Sequence, residues 1–135
     1  MGKVELAEAR ALIELQRNRP SQAITNLEAA IPYDLGSGPG GANLWTMYLR
    51  GEAHTRNGDG TKAAIEYQKI ASNPGIVPVS PLRSLARLAT GRAYAQVGDT
   101  AKAKAAYQDF LAAWKDADSD LPILKAAKAE YERLQ

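Results

Sequence analysis

The 135-residue chain has no cysteine, a single histidine and a single phenylalanine. The missing cysteine excludes disulfides, thiolate nucleophiles and cysteine-ligated metals. It leaves the compartment open, because a cysteine-free domain folds on either side of a membrane; the cytoplasm is slightly favoured over the periplasm. The one histidine, His54, has no second imidazole with which to share a metal, so it reads as a packed or partly buried ring. Charge of one sign is scarce as well. Seventeen basic and 15 acidic residues are interspersed, the formal charge is +2, and a pI near 8.9 gives little support for a nucleic-acid or membrane surface. No apolar run approaches the ~20 residues that span a bilayer, and the opening MGKVELAEAR lacks a hydrophobic signal core. A start inside a helical pattern behind a bare Met-Gly leader suggests a piece excised from a longer protein.

What is present is helical spacing. A chain of this size removes roughly two-thirds of its unfolded surface from water, enough for one domain without staples, and its 45% hydrophobic and 24% charged content is ordinary for a globular protein. Residues about 4 to 17 carry Leu6, Ala9, Leu12, Ile13 and Leu15 at helical intervals. Pro20 ends that helix and Ser21 can cap the next, whose stripe is Ala23, Ile24, Leu27, Ala30 and Ile31, with Pro32 as its stop. A Gly-rich loop, YDLGSGPGGAN, separates this pair from a third helix that begins near Ala42 or Leu44 and runs to about Asn57. Asn57 to Thr61 is a turn in which Asp59 or Thr61 can cap a fourth helix, striped by Ala63, Tyr67, Ile70 and Ala71. Beyond NPGIVPVSP, Ser80-Pro81 is a start signal for a fifth helix with Leu82, Leu85, Ala89, Ala93 and Tyr94 periodic. Gly98-Asp99-Thr100 is the next turn. The sixth helix carries Ala103, Ala106, Tyr107, Phe110, Leu111 and Trp114, which read as core. Asp116, Asp118 and Asp120 read as a helix-capping acidic turn before a seventh helix with Leu124, Ala127, Tyr131 and Leu134 on one face. No segment alternates with period two, so the expected class is all-α.

The helices pair into copies of one plan. Ala11, Gly51 and Gly91 stand 40 residues apart, as do Ala23, Ala63 and Ala103, followed in step by Leu27, Tyr67 and Tyr107 and by Ala30, Ile70 and Phe110. Two antiparallel helices approach closely only where neither carries a bulky side chain, and one such hairpin cannot bury its own apolar face, so stability must come from stacking. This pattern resembles the tetratricopeptide repeat (TPR). The third copy matches best, with Gly91, Ala93, Tyr94, Gly98, Asp99, Ala103, Tyr107 and Phe110 where the family places its small and aromatic residues. The second keeps Gly51, Ala53, Gly58, Asp59, Ala63 and Tyr67, with His54 in place of the usual Tyr; the first keeps little beyond Ala11, Ala23, Leu27 and Ala30. Arg10, Arg50 and Thr90 replace a usual Leu, and the period is 40 rather than 34. The resemblance implies a single domain over residues 1–135: three antiparallel helical hairpins (about 4–31, 42–72 and 81–116) stacked as a short right-handed solenoid, closed by a capping helix over about 121–134, seven helices in all. The run GDTAKAKAAYQDFLAAWKDADSDLPILKAAKAEYERLQ further resembles the terminal TPR segment of bacterial, especially acidobacterial, serine/threonine kinases and related multidomain regulators, which implies a sensing or docking arm.

Chemistry is thinly represented. Gly36-Ser37-Gly38-Pro39-Gly40-Gly41 lacks the preceding strand and the Lys-Ser/Thr ending of a phosphate loop, and Pro39 removes an amide donor; it reads as an inter-repeat loop. The aspartates at 116, 118 and 120 lack the Gly and closing Glu of a calcium loop. No catalytic, cofactor or metal residue is expected. In the TPR family the first helices of successive hairpins line a concave groove that holds a protein or peptide segment. The resemblance places Glu5, Glu8, Leu12, Trp45, Tyr48, Glu52, Arg56, Leu85, Leu88, Arg92 and Gln96 on that groove. The aromatic pair Trp45 and Tyr48 near Arg56 and Arg92 has the composition of a hot spot, unless both rings pack under the 33–43 loop or against the neighbouring helix. Carboxylate-clamp positions of the co-chaperone subfamily hold Glu8, Leu12, Tyr48 and Glu52 here, which speaks against that activity. The expected function is therefore a non-catalytic protein- or peptide-binding scaffold, with homo-oligomerisation of a parent regulator as the alternative and no direct membrane or nucleic-acid binding.

Overall fold

The structure, a computed structural model, describes residues 3–34, 44–72 and 81–134, and within them the chain is all-α, with seven α-helices and no strand. The helices are α1 (Lys3–Gln16), α2 (Pro20–Glu28), α3 (Leu44–Arg56), α4 (Gly60–Ala71), α5 (Pro81–Gln96), α6 (Thr100–Ala113) and α7 (Pro122–Arg133). They form a TPR-like solenoid of the hairpins α1/α2, α3/α4 and α5/α6, with α7 packed on α6. The Gly36–Gly41 loop, the 73–80 connection with Ser80, and the Ala42 helix start lie outside the described residues.

The three hairpin turns are one motif used three times. Asn18, Gly58 and Gly98, again 40 apart, take left-handed φ values of 58°, 82° and 80°. The next amide in each case reaches back five residues, Arg19 to Glu14, Asp59 to His54 and Asp99 to Tyr94, at 2.8–3.0 Å. This closure satisfies the orphan carbonyls of a helix end and requires a residue that tolerates positive φ, for which Gly and then Asn are suited. The turn is thus made by the residue before the capping position, and the expected caps need correction. Ser21 lies inside α2, where its carbonyl accepts from the Thr25 hydroxyl; Pro20 opens α2 rather than ending α1, since its fixed φ suits a first helical turn. Asp59 sits at the start of α4 but bonds Asn57 instead of the helix, and Thr61 is within it. Among the described residues Asp99 does cap its helix, accepting from the Lys102 amide at 3.2 Å. The acidic turn before α7 does not cap either: Asp118 accepts from the Asp120 amide, and Leu121 occupies the cap position with no side-chain bond.

Packing explains the repeat more sharply than close helix approach does. A Cβ added to Gly51 would lie 2.5 Å from the Tyr67 ring, and one on Gly91 would lie 2.9 Å from the Tyr107 ring. The glycines make room for a phenol ring; where the second helix carries the smaller Leu27, its opposite residue is Ala11, buried without conflict. Ala23, Ala63 and Ala103 are fully buried in their hairpins. Small residues fill the seam between the second and third hairpins: Ala86, Ala89 and Ala93 pack on Ala63, Ala64, Tyr67 and Ile70. Leu88, Tyr107 and Phe110 form a further cluster with Leu124 and Ala127 of α7. Trp114 is only partly buried beside it, stacked on Phe110. Helix α2 ends early, at Glu28, because Pro32 admits only a short 3-10 turn over Ile31–Tyr33; Ile31 consequently points to solvent instead of completing the stripe.

The seam between the first and second hairpins contains a buried charge cluster. Arg50, 1% exposed, donates through Nη1 and Nη2 to the Asp34 carboxylate at 2.9 and 2.7 Å and through Nη1 to Glu66 at 2.9 Å. Lys69 stands at 3.2 Å from Glu66 and 3.6 Å from Asp34. Asp34 follows the first hairpin, while Arg50 and Glu66 belong to the second, so the cluster ties one hairpin to the next. Burial pushes the Asp34 carboxyl above its ordinary value despite the opposing pull of Arg50 and Lys69.

Candidate partner-binding groove

The first helices run side by side in the 40-residue register, which brings residues 5, 45 and 85, then 12, 52 and 92, then 16, 56 and 96 into rows. Trp45, at the start of α3, is 45% exposed. Its ring lies parallel to that of Tyr48 (centroids 5.9 Å, 7° between planes), and Tyr48 packs in turn on Tyr67 at 5.4 Å. Burial raises the Tyr48 and Tyr67 phenols above their ordinary values, so both remain neutral hydrogen-bonding groups. Of the two arrangements open to the aromatic pair, Tyr48 is half-buried against its neighbours and Trp45 is the exposed outer plate.

Behind this stack lies a cleft of about 320 Å³ between α3 and α5, lined by Tyr48, Glu52, Thr55, Arg56, Tyr67, Ala89 and Arg92. Its polar walls are already braced. Arg56 donates to Glu52 at 2.9 Å and to the Leu15 carbonyl at 3.3 Å, and Gln96 donates to the Thr55 carbonyl at 2.9 Å. On α1, Glu5 is exposed, Leu12 is 41% exposed, and Glu8 accepts the Thr46 hydroxyl. Leu85 is partly exposed near the start of α5.

Of the expected groove residues, one is buried away from the cleft and another lines it with its charge already engaged. Leu88 is buried in the cluster with Tyr107, Phe110, Leu124 and Ala127; α7 takes the place of a following hairpin and covers that position, and Ala89 faces the cleft instead. Arg92 borders the cleft, but its guanidinium is committed to α7, donating through Nε and Nη2 to Glu130 at 2.7 and 2.8 Å. Tyr107 donates to the same carboxylate at 2.8 Å. These donors hold the Glu130 carboxyl below its usual range. Arg92 is thus a clasp for the capping helix. Thr55, Tyr67 and Ala89 were not expected in the cleft; their turn and core roles in the repeat mask their second face.

His54 is buried as expected, and burial lowers its pKa. Among the described residues no cluster of three or more His, Asp or Glu is arranged to hold a metal, and no helix is long and apolar enough to cross a membrane.

The fold defines a class, a stack of helical hairpins, here carrying the Trp45–Tyr48 stack on one of its first helices. A tetratricopeptide repeat family model matches residues 8–76, just over half the chain, from within α1 to beyond the end of α4. The chain belongs to the tetratricopeptide repeat family. No curated protein matches it. TPR repeats generally mediate protein–protein interaction, and the family is typically a non-catalytic scaffold.

Proposed function

We propose that this chain is a non-catalytic scaffold that takes a segment of a protein partner along the face formed by α1, α3 and α5. The observation that carries the reading is the Trp45–Tyr48 stack: a large exposed indole held flat by a half-buried tyrosine, beside a cleft of about 320 Å³. A rigid exposed aromatic contributes contact area at little entropic cost, the property of an interface anchor. The glutamates of α1 and the Glu52–Arg56 pair form a polar rim around it. The C-terminal likeness adds the reading that the domain serves as a docking arm of a larger regulator.

The test uses a randomised peptide library displayed against the full chain, with calorimetry on the selected peptides. Trp45→Ala should weaken binding by about 30-fold or more, the scale of a hot spot, and leave the melting temperature nearly unchanged because the ring is half in solvent. Selected peptides that bind Trp45→Ala as well as the parent, or that lose affinity to Arg87→Ala on the opposite face, would overturn the assignment.

A further inference from the structure

The 40-residue register shows which positions of a first helix meet the preceding hairpin. In α3 they are Thr46, Arg50 and Ala53, and in α5 they are Ala86, Thr90 and Ala93; all six are buried, none above 6% exposed. Their equivalents on α1 are Leu6, Arg10 and Ile13. Leu6 is 39% and Ile13 47% exposed, and Arg10 is exposed. A cleft of about 450 Å³ opens at this end of the stack, lined by Arg10, Ile13, Glu14, Arg17 and Asn26.

Arg10 gives the surface a chemical preference. It is the register twin of Arg50, which takes one carboxylate from its own hairpin (Glu66) and one from the segment leaving the hairpin before it (Asp34). The twin of Glu66 is Asn26, a neutral residue, and among the described residues no carboxylate pairs with Arg10. What is missing at Arg10 is the acid that a preceding hairpin supplies at Arg50.

We infer that the α1 end of the solenoid is a seat for one more helical hairpin, stacked in the same register. It would cover Leu6 and Ile13 with an apolar second helix and bring a carboxylate from just beyond that helix to Arg10. Continuity with the two seams inside the molecule sets the geometry, and the unmatched arginine sets the charge. A second copy of the chain fits poorly. Its α7 end carries exposed Lys125, Lys128 and Arg133 together with Asp120 and Glu132, and repeats neither the apolar second-helix face nor the following aspartate that meets Arg50; two α1 ends face to face would oppose Arg10 and Arg17 of each copy.

The probe is the full chain lengthened by one period, with a duplicate of residues 4–43 inserted directly before residue 4, so that the duplicated Asp34 falls within reach of Arg10. The lengthened chain should unfold in a single transition, with a melting temperature on the order of 5 °C higher. Ile13→Asp in the original copy should remove that gain yet shift the unlengthened chain by no more than about 1 °C, as an exposed site does. Asp34→Asn in the duplicate should remove part of the gain. A duplicate that melts as a separate unit, or an Ile13→Asp penalty equal in both chains, would refute the seat. A concentration-dependent dimer of the unlengthened chain that Ile13→Asp abolishes would refute the hairpin as occupant in favour of a second copy.

Discussion

Replacing Arg50 with methionine should be among the most damaging single changes in the molecule. Methionine fills the same channel with an unbranched apolar stem, so volume is nearly kept and charge is lost. Arg50 makes three hydrogen bonds of 2.7–2.9 Å to two carboxylates, and the Asp34 and Glu66 side chains are only 7% and 9% exposed. Removing one member of such a buried set costs about 3–5 kcal/mol, because the remaining charges stay out of water without a partner. Lys69 remains beside both carboxylates, but its side chain is 35% exposed and solvent screens it, so the loss should fall near the lower end, about 3 kcal/mol, or a drop in melting temperature of about 10 °C. Urea unfolding followed by helical circular dichroism gives the value directly. Arg50→Lys should recover only part, since one ammonium cannot reproduce the forked contact. Adding Asp34→Asn and Glu66→Gln to Arg50→Met should restore part of the loss by removing the stranded charges. The sign with pH is also fixed. A carboxyl whose folded pKa is raised contributes stability that is complete below its unfolded value and is lost as pH rises through the folded one; Arg50→Met should therefore regain stability on acidification toward the carboxylate range. A loss below about 1 kcal/mol, or a lysine variant equal to the parent, would refute the account of the cluster.

Other outcomes follow from the same structure. His54 is buried with its Nδ1 unpartnered, and burial lowers its pKa from the ordinary 6.5, so the unfolded chain binds more protons. Its contribution to stability is complete above about pH 6.5 and is lost as pH falls through the folded value; His54→Phe should flatten that slope in denaturant titrations. Glu130→Ala should loosen α7 selectively: hydrogen exchange should rise for Leu124 to Tyr131 amides with little change in α3 and α4, at a cost of about 1 kcal/mol for a partly exposed pair. Because the Glu130 carboxyl is held low, that clasp should also weaken as pH falls through its folded value. Arg92→Glu would place two carboxylates together and release α7, so it reports on the cap and not on the groove. Gly60→Ala should cost about 1–3 kcal/mol, since the new Cβ would meet the Ala93 backbone carbonyl at 2.3 Å, a contact that no rotamer change relieves; equilibrium unfolding measures it.

The helices, their pairing and their 40-residue register were legible in the sequence because they depend on local chemistry. Apolar spacing marks a helix face, Gly-Asp and Pro-containing breaks mark the turns, and small residues recurring at fixed spacing mark where paired helices meet; that Gly51 and Gly91 make room for the Tyr67 and Tyr107 rings emerged only from the packing. The resemblance to the tetratricopeptide repeat, rather than spacing, placed Trp45 and Tyr48 on the expected groove row. Spacing could not fix which charged residues lie inside, since Arg50, Asp34 and Glu66 are 16 residues apart in steps that follow no helical period. A charge on the buried row of α3 was the available signal: it demanded partners without naming them. Nor could spacing show that α7 folds back over the third hairpin, burying Leu88 and engaging Arg92, because that depends on how one helix docks against two others. The sequence alone determined a repeat of helical hairpins with an aromatic pair, Trp45 and Tyr48, on the row of first helices, since apolar spacing and turn residues are local signals, and a hairpin that cannot bury its own apolar face must stack on the next. Tertiary structure decided which parts of that row stay open and which are sealed, because exposure is a property of what packs next to a surface.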